Sequence, residues 1–483
     1  MTPSSSASAP RDHRWLALAV LCCGALMIVL DTTVVNVALP SIRTDLGFSE
    51  TGLAWVVNAY LLTFGGCLLL GGRLGDLFGH RRLFLIGIAL FTLASLACGL
   101  ADSQTVLVAA RAVQGIGGAV TTAVALSLMM TLFTEPGERA KAMGVYSFVC
   151  AGGGSVGVLL GGLLTATLDW HWIFLINVPV GIVVLLLALR VVPAEHVPAA
   201  HRDLDLAGAI TVTSSLMLAV YAVVNGNEAG WTSVRTLSLL GVAVALLLAF
   251  LAIESRVRAP LMPLGLFRLR NLATSNLIGV LWAAAMFAWF FLSALYMQLV
   301  LGYGPMEVGL AFLPGNLIMA GFSLGLSAKL VMRFGIRMPL AVGLGLATVG
   351  LALFARAPVD GSFVVDVLPA MVLLGFGAGM AFNPLLLAAM GDVEPGDAGL
   401  ASGLVNTAFM MGGALGLAVL ASLAAAHTQT LAAAGTATAE ALNAGYRAAF
   451  LVSACFAGLA AILGGVLLRP APQPAAAAAM AGH

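Results

Sequence analysis

Residues 15–40 read WLALAVLCCGALMIVLDTTVVNVALP, an apolar stretch that contains a single charged side chain, Asp31. About 20 consecutive apolar residues are enough for an α-helix to cross the hydrocarbon core of a membrane. A charged side chain at that depth costs at least ~2.5 kcal/mol and is rarely present without a function. The stretch therefore predicts a membrane-spanning helix, and Asp31 is the first candidate for a functional residue.

Thirteen further apolar stretches follow, and the composition agrees with them. The chain is 61% hydrophobic and 9% charged, with a mean hydropathy of +1.04, whereas soluble domains carry roughly 25% charged residues. Only helices and closed barrels satisfy their backbone hydrogen bonds in lipid, and these stretches are too continuous for barrel strands. The sequence predicts an all-α polytopic membrane protein with 14 transmembrane helices, near residues 15–39, 51–72, 82–101, 105–131, 141–167, 172–192, 204–224, 236–254, 272–300, 306–331, 338–355, 366–390, 398–424 and 447–468.

The basic residues indicate how these spans are oriented. If the N-terminus is cytoplasmic and the spans alternate, 17 of the 22 Lys and Arg residues fall on the cytoplasmic side, four outside and one, Arg111, within a span. Such an excess of Lys and Arg is typical of cytoplasmic loops. We therefore expect a multi-pass protein of the cell (inner or plasma) membrane with both termini in the cytoplasm.

The second half of the chain repeats features of the first half, so that spans 1–6 correspond to spans 9–14. Parallel repeats of this kind place a transport substrate at the interface of the two halves. The matched segments are Leu46–Trp55 with Leu301–Phe312, Arg73–Arg81 with Lys329–Arg337, Gly115–Gly117 with Gly375–Gly377, and Gly153–Gly157 with Gly412–Gly416. The predicted order is a disordered cytoplasmic N-terminus (1–14), an N-terminal six-helix bundle (15–192), two inserted helices (204–254), a C-terminal six-helix bundle (272–468) and a disordered cytoplasmic tail (470–483).

Five motifs carry a resemblance to a known family. They are Asp31–Pro40 (DTTVVNVALP) in span 1, Gly71–Arg82 (GGRLGDLFGHRR) between spans 2 and 3, Arg111–Gly117 (RAVQGIG) in span 4, Gly153–Gly162 in span 5 and Trp170–Pro179 (WHWIFLINVP) at span 6. Over about residues 15–468 the chain resembles the fourteen-span drug:proton antiporter branch of the major facilitator superfamily. The resemblance implies the major facilitator fold and export of small molecules in exchange for protons.

The chain departs from that branch at three places. Val158 follows Gly157 where the span 5 motif usually has Pro, and His171 stands where the span 6 motif usually has Arg. In span 13, Phe409-Met410 stand where relatives often carry Arg-Gln. The departure at Val158 keeps open a facilitator that moves its substrate without coupling to protons, and the one at Phe409-Met410 removes a charge expected in the cavity.

Asp31 and Arg111 are the predicted proton-coupling pair. Asp31 lies nine residues before Pro40, or roughly 13 Å inside the outer boundary of the membrane at helical rise. Arg111 lies about six residues into span 4, which enters from the same side, so the two side chains have similar depth. Burial favours the neutral acid and a nearby Arg favours the carboxylate, so such an acid can load and release a proton. The alternative is a structural ion pair that fixes helix packing.

The charged motif between spans 2 and 3 predicts a conformational latch. In the resembled family it locks the two halves together, and its carboxylate can approach a helix N-terminus, which attracts anions. The alternative is simple anchoring by cytoplasmic basic residues. The predicted latch residues are Gly72, Arg73, Asp76, Gly79, Arg81 and Arg82.

Polar and small residues within the spans provide the remaining candidates. Small residues at three- and four-residue spacing allow close helix packing, which we predict for Gly153, Gly157, Gly161 and Gly162. In the resembled family, the same span also seals a leak path between the halves. The predicted substrate-cavity residues, each of which can instead bridge two helices, are Asn36, Asn58, Tyr60, Gln114, Trp289, Asn316, Asn383 and Asn406.

The sequence thus favours a secondary active exporter of hydrophobic or amphipathic small molecules, driven by proton antiport with alternating access. A dedicated exporter of one natural product and an uncoupled facilitator remain alternatives. An ATP-driven pump and an enzyme are disfavoured, because the sequence has no Walker-type loop and no constellation of metal ligands or nucleophiles. We expect a monomer whose partners are the lipid bilayer, a small-molecule substrate and protons, without cofactor, metal or nucleic acid.

Overall fold

The computed structural model describes residues 11–133, 135–193, 205–257, 260, 264–322, 326–393 and 398–469, and most of them are helical. The α-helices are α1 (Arg11–Leu46), α2 (Glu50–Phe78), α3 (His80–Gly99), α4 (Gln104–Leu132), α5 (Pro136–Thr167), α6 (Trp172–Leu175), α7 (Asn177–Val191), α8 (Leu206–Ala229), α9 (Val234–Glu254), α10 (Arg270–Leu295), α11 (Pro305–Gly321), α12 (Ser327–Phe334), α13 (Arg337–Phe354), α14 (Leu368–Met390), α15 (Ala398–Ala433) and α16 (Thr438–Leu467). A 3₁₀ helix covers Leu264–Arg268, and π-helical turns cover Tyr296–Val300 and Phe363–Val367.

Within the described residues, twelve helical segments are long and apolar enough to cross a membrane, so the predicted count of 14 is not confirmed. The two predicted spans outside this set are 141–167 and 306–331. The first lies within α5, a continuous helix of 32 residues, and the part of it described with all its side chains is Val156–Thr167. The second is divided between α11 and the eight-residue α12, and residues 323–325 between them lie outside the described part.

The two segments predicted to be disordered are residues 1–14 and 470–483, at the two ends of the chain. Helix α1 begins at Arg11, four residues before the predicted start of the first span. Residues 1–10 and 470–483 lie outside the described residues, and so do 194–204 between α7 and α8.

The helices form two groups with a hairpin between them. Helices α1 to α7 pack mainly against one another, and α10 to α16 do the same. The α8–α9 hairpin packs against α2 of the first group, and its α8 also packs against α15 of the second. The two groups meet directly where α5 packs on α11 and α2 packs on α15. The inserted helices therefore lie beside the boundary of the two groups.

Glycines at equivalent positions of the repeat make equivalent contacts. A Cβ atom added to Gly115 in α4 would touch α2 at Tyr60, and one added to Gly375 in α14 would touch α11 at Gly315. The same relation holds between Gly153 in α5, which faces α1, and Gly412 in α15, which faces α10. Helix pairs α4–α2 and α5–α1 thus recur as α14–α11 and α15–α10. The repeat in the sequence is therefore matched by a repeat in how the helices pack.

Among the predicted packing glycines, Gly161 lies closest to the backbone of α1, and we predict that a larger residue there separates the two helices. The Cβ of a substituted residue would lie 2.8 Å from the backbone oxygen of Val34, a distance that real Cβ atoms do not show. Gly161→Val should lower the stability of the protein by about 1–3 kcal/mol, measured by thermal unfolding in detergent, and should reduce transport because Val34 lies one turn from Asp31.

The matched control is Gly154→Ala in the same helix. Its Cβ would lie 3.9 Å from Thr33 Cγ2, which is ordinary van der Waals contact. Unchanged unfolding and transport in Gly161→Val would contradict the close approach of α5 to α1.

Candidate functional site

The Asp31 carboxylate lies inside the first group of helices and accepts hydrogen bonds from two other helices. Asp31 in α1 is 2% exposed. Its Oδ2 accepts from Arg111 Nη1 of α4 at 2.5 Å. Its Oδ1 accepts from Gln114 Nε2 at 2.7 Å and from Asn177 Nδ2 of α7 at 3.1 Å. Three donors on two oxygens fit a charged carboxylate, because an ionised acid accepts and does not donate.

The Arg111 guanidinium is held by more than the carboxylate. Its Nε donates to the backbone oxygen of Val56 in α2 at 2.9 Å, and its Nη1 also donates to Gln114 Oε1 at 2.7 Å. The guanidinium carbon lies 4.4 Å from the ring centroid of Tyr60 and 5.6 Å from that of Phe174. Cation–π contacts of this kind are worth about 2 kcal/mol when desolvated. Arg111, 1% exposed, is therefore fixed in position.

Gln114 extends the network to α3. Its Nε2 donates to Ser95 Oγ at 2.8 Å, and its Oε1 lies 3.7 Å from Cys98 Sγ. Gln114 and Arg111 are three residues apart and share one face of α4, so both reach Asp31. We call Asp31, Arg111, Gln114, Asn177 and Ser95 the acid network; with Val56 and Tyr60 it joins helices α1, α2, α3, α4 and α7.

The sequence predicted Asp31 and Arg111 as the coupling pair and Gln114 as a substrate-cavity residue, whereas Asn177 and Ser95 were not among the predicted site residues. Asn177 lies in the span 6 motif Trp170–Pro179, where an amide in a mostly apolar span was a signal that could have nominated it. Ser95 gave no comparable signal, since a hydroxyl in a membrane helix commonly bonds its own backbone, and Ser95 Oγ does donate to Phe91 O at 2.8 Å.

The acid network links the charge of one side chain to the position of several helices. A buried charge that loses its partner is costly, and burial then favours neutralisation. If Asp31 takes up a proton, Arg111 loses its counter-ion and the donors of Gln114 and Asn177 lose a strong acceptor. A change in the charge of Asp31 would therefore alter the contacts that hold α1, α4 and α7 together.

The predicted cavity residues outside this network are dispersed. Asn36 Nδ2 donates to Thr32 O at 3.2 Å and Asn406 Nδ2 to Ser402 O at 3.0 Å, each within its own helix. Asn383 in α14 is half-buried. Trp289 in α10 is buried, and its ring lies 4.4 Å from that of Phe290 and 6.5 Å from that of Phe312.

Two predicted cavity asparagines are buried with unmet hydrogen-bonding capacity. Within the described residues, neither the Nδ2 nor the Oδ1 of Asn58 has a hydrogen-bond partner. The Nδ2 of Asn316 has none there either. Asn58 lies seven residues before Gly65, hence on the same face of α2. Gly65 faces Met410 and Met411 of α15. Asn58 is therefore a fully buried amide on the face of α2 that meets the second group of helices.

The predicted latch is described in part. The side chains of Arg73 and Asp76 lie outside the described residues, so their contacts are not considered. Arg81 Nη2 donates to the backbone oxygen of Leu189 in α7 at 2.5 Å, which is a contact within the first group. Arg82 is exposed and Gly72 is half-buried. Gly79 joins α2 to α3 with φ of +92°, a conformation that favours glycine.

The predicted packing glycines line two faces of α5. Gly153, Gly157 and Gly161 face α1, whereas a Cβ on Gly162 would lie 2.7 Å from Pro305 O of α11. The buried Val158, one of the departures from the family pattern, lies at the same contact: a Cβ on Gly309 of α11 would lie 3.0 Å from the backbone oxygen of Val158. Helix α5 thus joins the two groups near its C-terminal end.

A hydrogen bond joins the two groups near the same face of the molecule. Gln298 Nε2, in the π-helical turn after α10, donates to the backbone oxygen of Val37 in α1 at 2.9 Å. Val37 lies close to Pro40, at the membrane boundary predicted to be the outer one. The Val37–Gln298 and Gly162–Pro305 contacts both join the two groups near this face.

Comparisons with known proteins agree with this architecture. The family model of the Major Facilitator Superfamily matches residues 21–417. The puromycin resistance protein pur8 of Streptomyces alboniger is 40% identical over 471 residues, covering 96% of this chain and 93% of that protein. The cephamycin export protein CmcT of Amycolatopsis lactamdurans is 41% identical over 85% of each chain. A solved structure of an auto-inhibited POT family peptide transporter has a TM-score of 0.68 and 17% identity, covering 96% of this chain and 99% of that one, and so shares the fold.

Proposed function

The chain belongs to the major facilitator superfamily, and from that premise we propose that it exports hydrophobic or amphipathic small molecules in exchange for protons. The single observation that carries the proposal is the buried acid network centred on Asp31. A carboxylate at membrane depth is costly and marks proton or substrate pathways in transporters. Here it is paired, satisfied by three donors and placed where its charge affects several helices.

The proposed topology has 14 spans, with both termini in the cytoplasm, two six-helix bundles and two inserted helices. It is supported by the distribution of Lys and Arg residues and by the repeat of glycine contacts between α1–α5 and α10–α15. With this orientation, the contacts Val37–Gln298 and Gly162–Pro305 lie on the outer side.

We propose that a protein of this topology works by alternating access. The two bundles contact each other at the face proposed to be the outer one, and we propose that they separate there when the protein turns outward. Asn58 supports this motion, because an unpaired buried amide costs about 1–3 kcal/mol and can gain partners when α2 and α15 move apart. The latch motif, with Arg73 and Asp76, is proposed to act at the opposite face.

The acid network supplies the proposed coupling. When Asp31 is charged, Arg111, Gln114 and Asn177 hold α1, α4 and α7 together. Protonation from outside removes the charge that Arg111 neutralises and loosens these contacts. Release of the proton inside restores them. Substrate and proton move in opposite directions if the protein carries the proton on its way inward and the substrate on its way outward.

The substrate class is proposed from the relatives and from the residues of the site. Two relatives carry the names of antibiotic resistance or export proteins, for puromycin and for cephamycin. Apart from Asp31 and Arg111, the predicted cavity residues are uncharged amides and aromatic rings, which suit recognition through apolar contact and a few hydrogen bonds. A dedicated exporter of one natural product would use the same residues.

Everted membrane vesicles test the proposal. Vesicles with an acidic interior and a pH-sensitive dye are given puromycin, a cephamycin and a panel of cationic dyes, and proton release is recorded. We expect substrate to accelerate proton release and to accumulate in the vesicles. Response to one compound of the panel favours the dedicated exporter. Uptake without proton release favours the facilitator, and no uptake of any compound contradicts export.

A further inference from the structure

The C-terminal end of α1 is held by hydrogen bonds from two other segments of the first group. Trp170 Nε1, in the turn before α6, donates to Asp45 Oδ2 at 2.9 Å. Gln104 Nε2, at the start of α4, donates to two backbone oxygens at the end of α1, at 3.0 and 2.9 Å. Asp45 is exposed and lies 14 residues after Asp31, or about 21 Å along the helix. These contacts are therefore well separated from the buried carboxylate.

Trp170 is a buried ring with aromatic neighbours before and within α6. The ring of His171, which stands where the span 6 motif usually has Arg, stacks on it with centroids 3.7 Å apart. The Phe174 ring meets Trp170 edge-on, with centroids 6.3 Å apart and an interplanar angle of 85°. Aromatic rings attract each other in this geometry. The Trp170 ring is therefore held by two other rings as well as by the Asp45 carboxylate.

Phe174 connects these contacts to the acid network. Its side chain is buried, and its ring centroid lies 5.6 Å from the guanidinium carbon of Arg111. A cation at about 6 Å or less from an aromatic ring is attracted by its face. Arg111 Nη1 donates in turn to Asp31 Oδ2. Side-chain contacts therefore run without a gap from the exposed carboxylate at the end of α1 to the buried one, through Trp170, Phe174 and Arg111.

We propose that Trp170 is a positioning residue that acts through Phe174 on the Arg111 guanidinium. By keeping that cation close to Asp31, it favours the charged form of the carboxylate, and so it helps to set the pH at which Asp31 takes up a proton. Asp45 fixes Trp170 in turn. The inference rests on the proposed function, since it concerns the residue that carries the proton there.

The surroundings of Asp31 allow the effect of Arg111 to be isolated. Two further titratable side chains lie close enough to interact electrostatically with Asp31, namely Tyr60 of α2 and Cys98 of α3. The other two donors to Asp31 are uncharged amides on α4 and α7. Substitutions at Trp170 leave all four of these side chains in place. A shift in the protonation of Asp31 then reports on the position of Arg111.

Infrared spectroscopy of the full-length protein in nanodiscs tests the inference without transport. The carbonyl band of protonated carboxylic acids is followed with pH, and its loss in Asp31→Asn identifies the contribution of Asp31. Trp170→Leu and Phe174→Leu should each raise the pH of half-protonation by about 0.5–1 pH unit, as expected when a cation–π contact is lost. Trp170→Phe keeps a ring beside Phe174 but loses the hydrogen bond to Asp45, and it should raise this pH by a smaller amount.

A double variant tests the hydrogen bond at the end of α1. Asp45→Leu removes the acceptor and should raise the pH of half-protonation by the same amount as Trp170→Phe. The two substitutions combined should shift it no further than either one alone, because both remove the same bond. Additive shifts would mean that Asp45 acts on Asp31 independently of Trp170, and would overturn the inference.

Tyr296→Phe is the matched control in the second group. Tyr296 is also a buried ring that donates one hydrogen bond, from its hydroxyl to Pro358 O at 2.8 Å. Its loss should leave the protonation of Asp31 unchanged. Trp170→Phe carries the test if Trp170→Leu does not fold.

The inference and the proposed function fail in different ways. An unchanged pH of half-protonation in Trp170→Leu or Phe174→Leu, or an equal shift in Tyr296→Phe, would overturn the inference. Absence of proton release in the vesicle experiment, with the infrared shifts as expected, would instead contradict the proposed function alone.

Discussion

Asp31→Asn should reduce substrate-driven proton release in everted vesicles to the level of vesicles without the protein. The substitution keeps the size of the side chain but removes the group that can gain and lose a proton. It also leaves Arg111 as a buried charge without its counter-ion, which costs about 3–5 kcal/mol. We therefore expect a lower unfolding temperature in detergent together with loss of coupling.

A double variant separates the two effects. Asp31→Asn with Arg111→Gln removes both charges, so stability should recover relative to the single variant while coupling stays lost. If Asp31→Asn retains proton-driven transport with unchanged pH dependence, Asp31 is not the proton carrier. The salt bridge is then a structural ion pair that fixes the packing of α1 on α4.

Arg111→Leu should be the most destabilising single change in the first group of helices. It removes the cation beside Asp31, the donor to Val56 O and the contact with the Tyr60 ring together. Breaking a buried pair costs about 3–5 kcal/mol, and Asp31 can relieve part of this by staying protonated. The protein should then be held in its proton-loaded form, with transport no longer responsive to an imposed pH gradient.

Arg111→Lys sharpens this test. The ammonium of lysine can pair with the charge of Asp31. It lacks the planar guanidinium that donates to Asp31 and to Val56 O at the same time. We expect intermediate stability and low coupling, measured by thermal unfolding and proton release. Arg356→Leu is the control, since Arg356 is exposed and surface changes usually stay within about 0.5 kcal/mol. Similar unfolding temperatures for Arg111→Leu and Arg356→Leu would contradict the role assigned to the acid network.

The class of the protein could be read from the sequence because hydropathy acts over whole segments. A run such as 15–40 predicts a membrane helix whatever its neighbours are, since lipid does not solvate ions or unpaired backbone groups. The repeat was also visible, because paired glycines such as Gly115 and Gly375 keep the same spacing along the chain. Similar depth for Asp31 and Arg111 followed from helical rise alone.

The count of 14 spans is not confirmed by the described residues. Helix α5 is continuous over 32 residues, but the side chains of several of its residues lie outside the described part, and so do residues 323–325 between α11 and α12. Twelve apolar spans in the described residues are therefore compatible with the prediction of 14 without confirming it.

What the sequence by itself determined is that the chain is an α-helical protein with many membrane-spanning helices, because hydropathy acts over whole segments; the depth of each residue is a prediction from the rise of a helix. What only the tertiary structure decided is which side chains meet. Asn177 and Ser95 reach the acid network, whereas Asn36 and Asn406 bond their own helices. The rotation of each helix about its axis decides these outcomes, and that rotation is set by packing against neighbours distant in sequence.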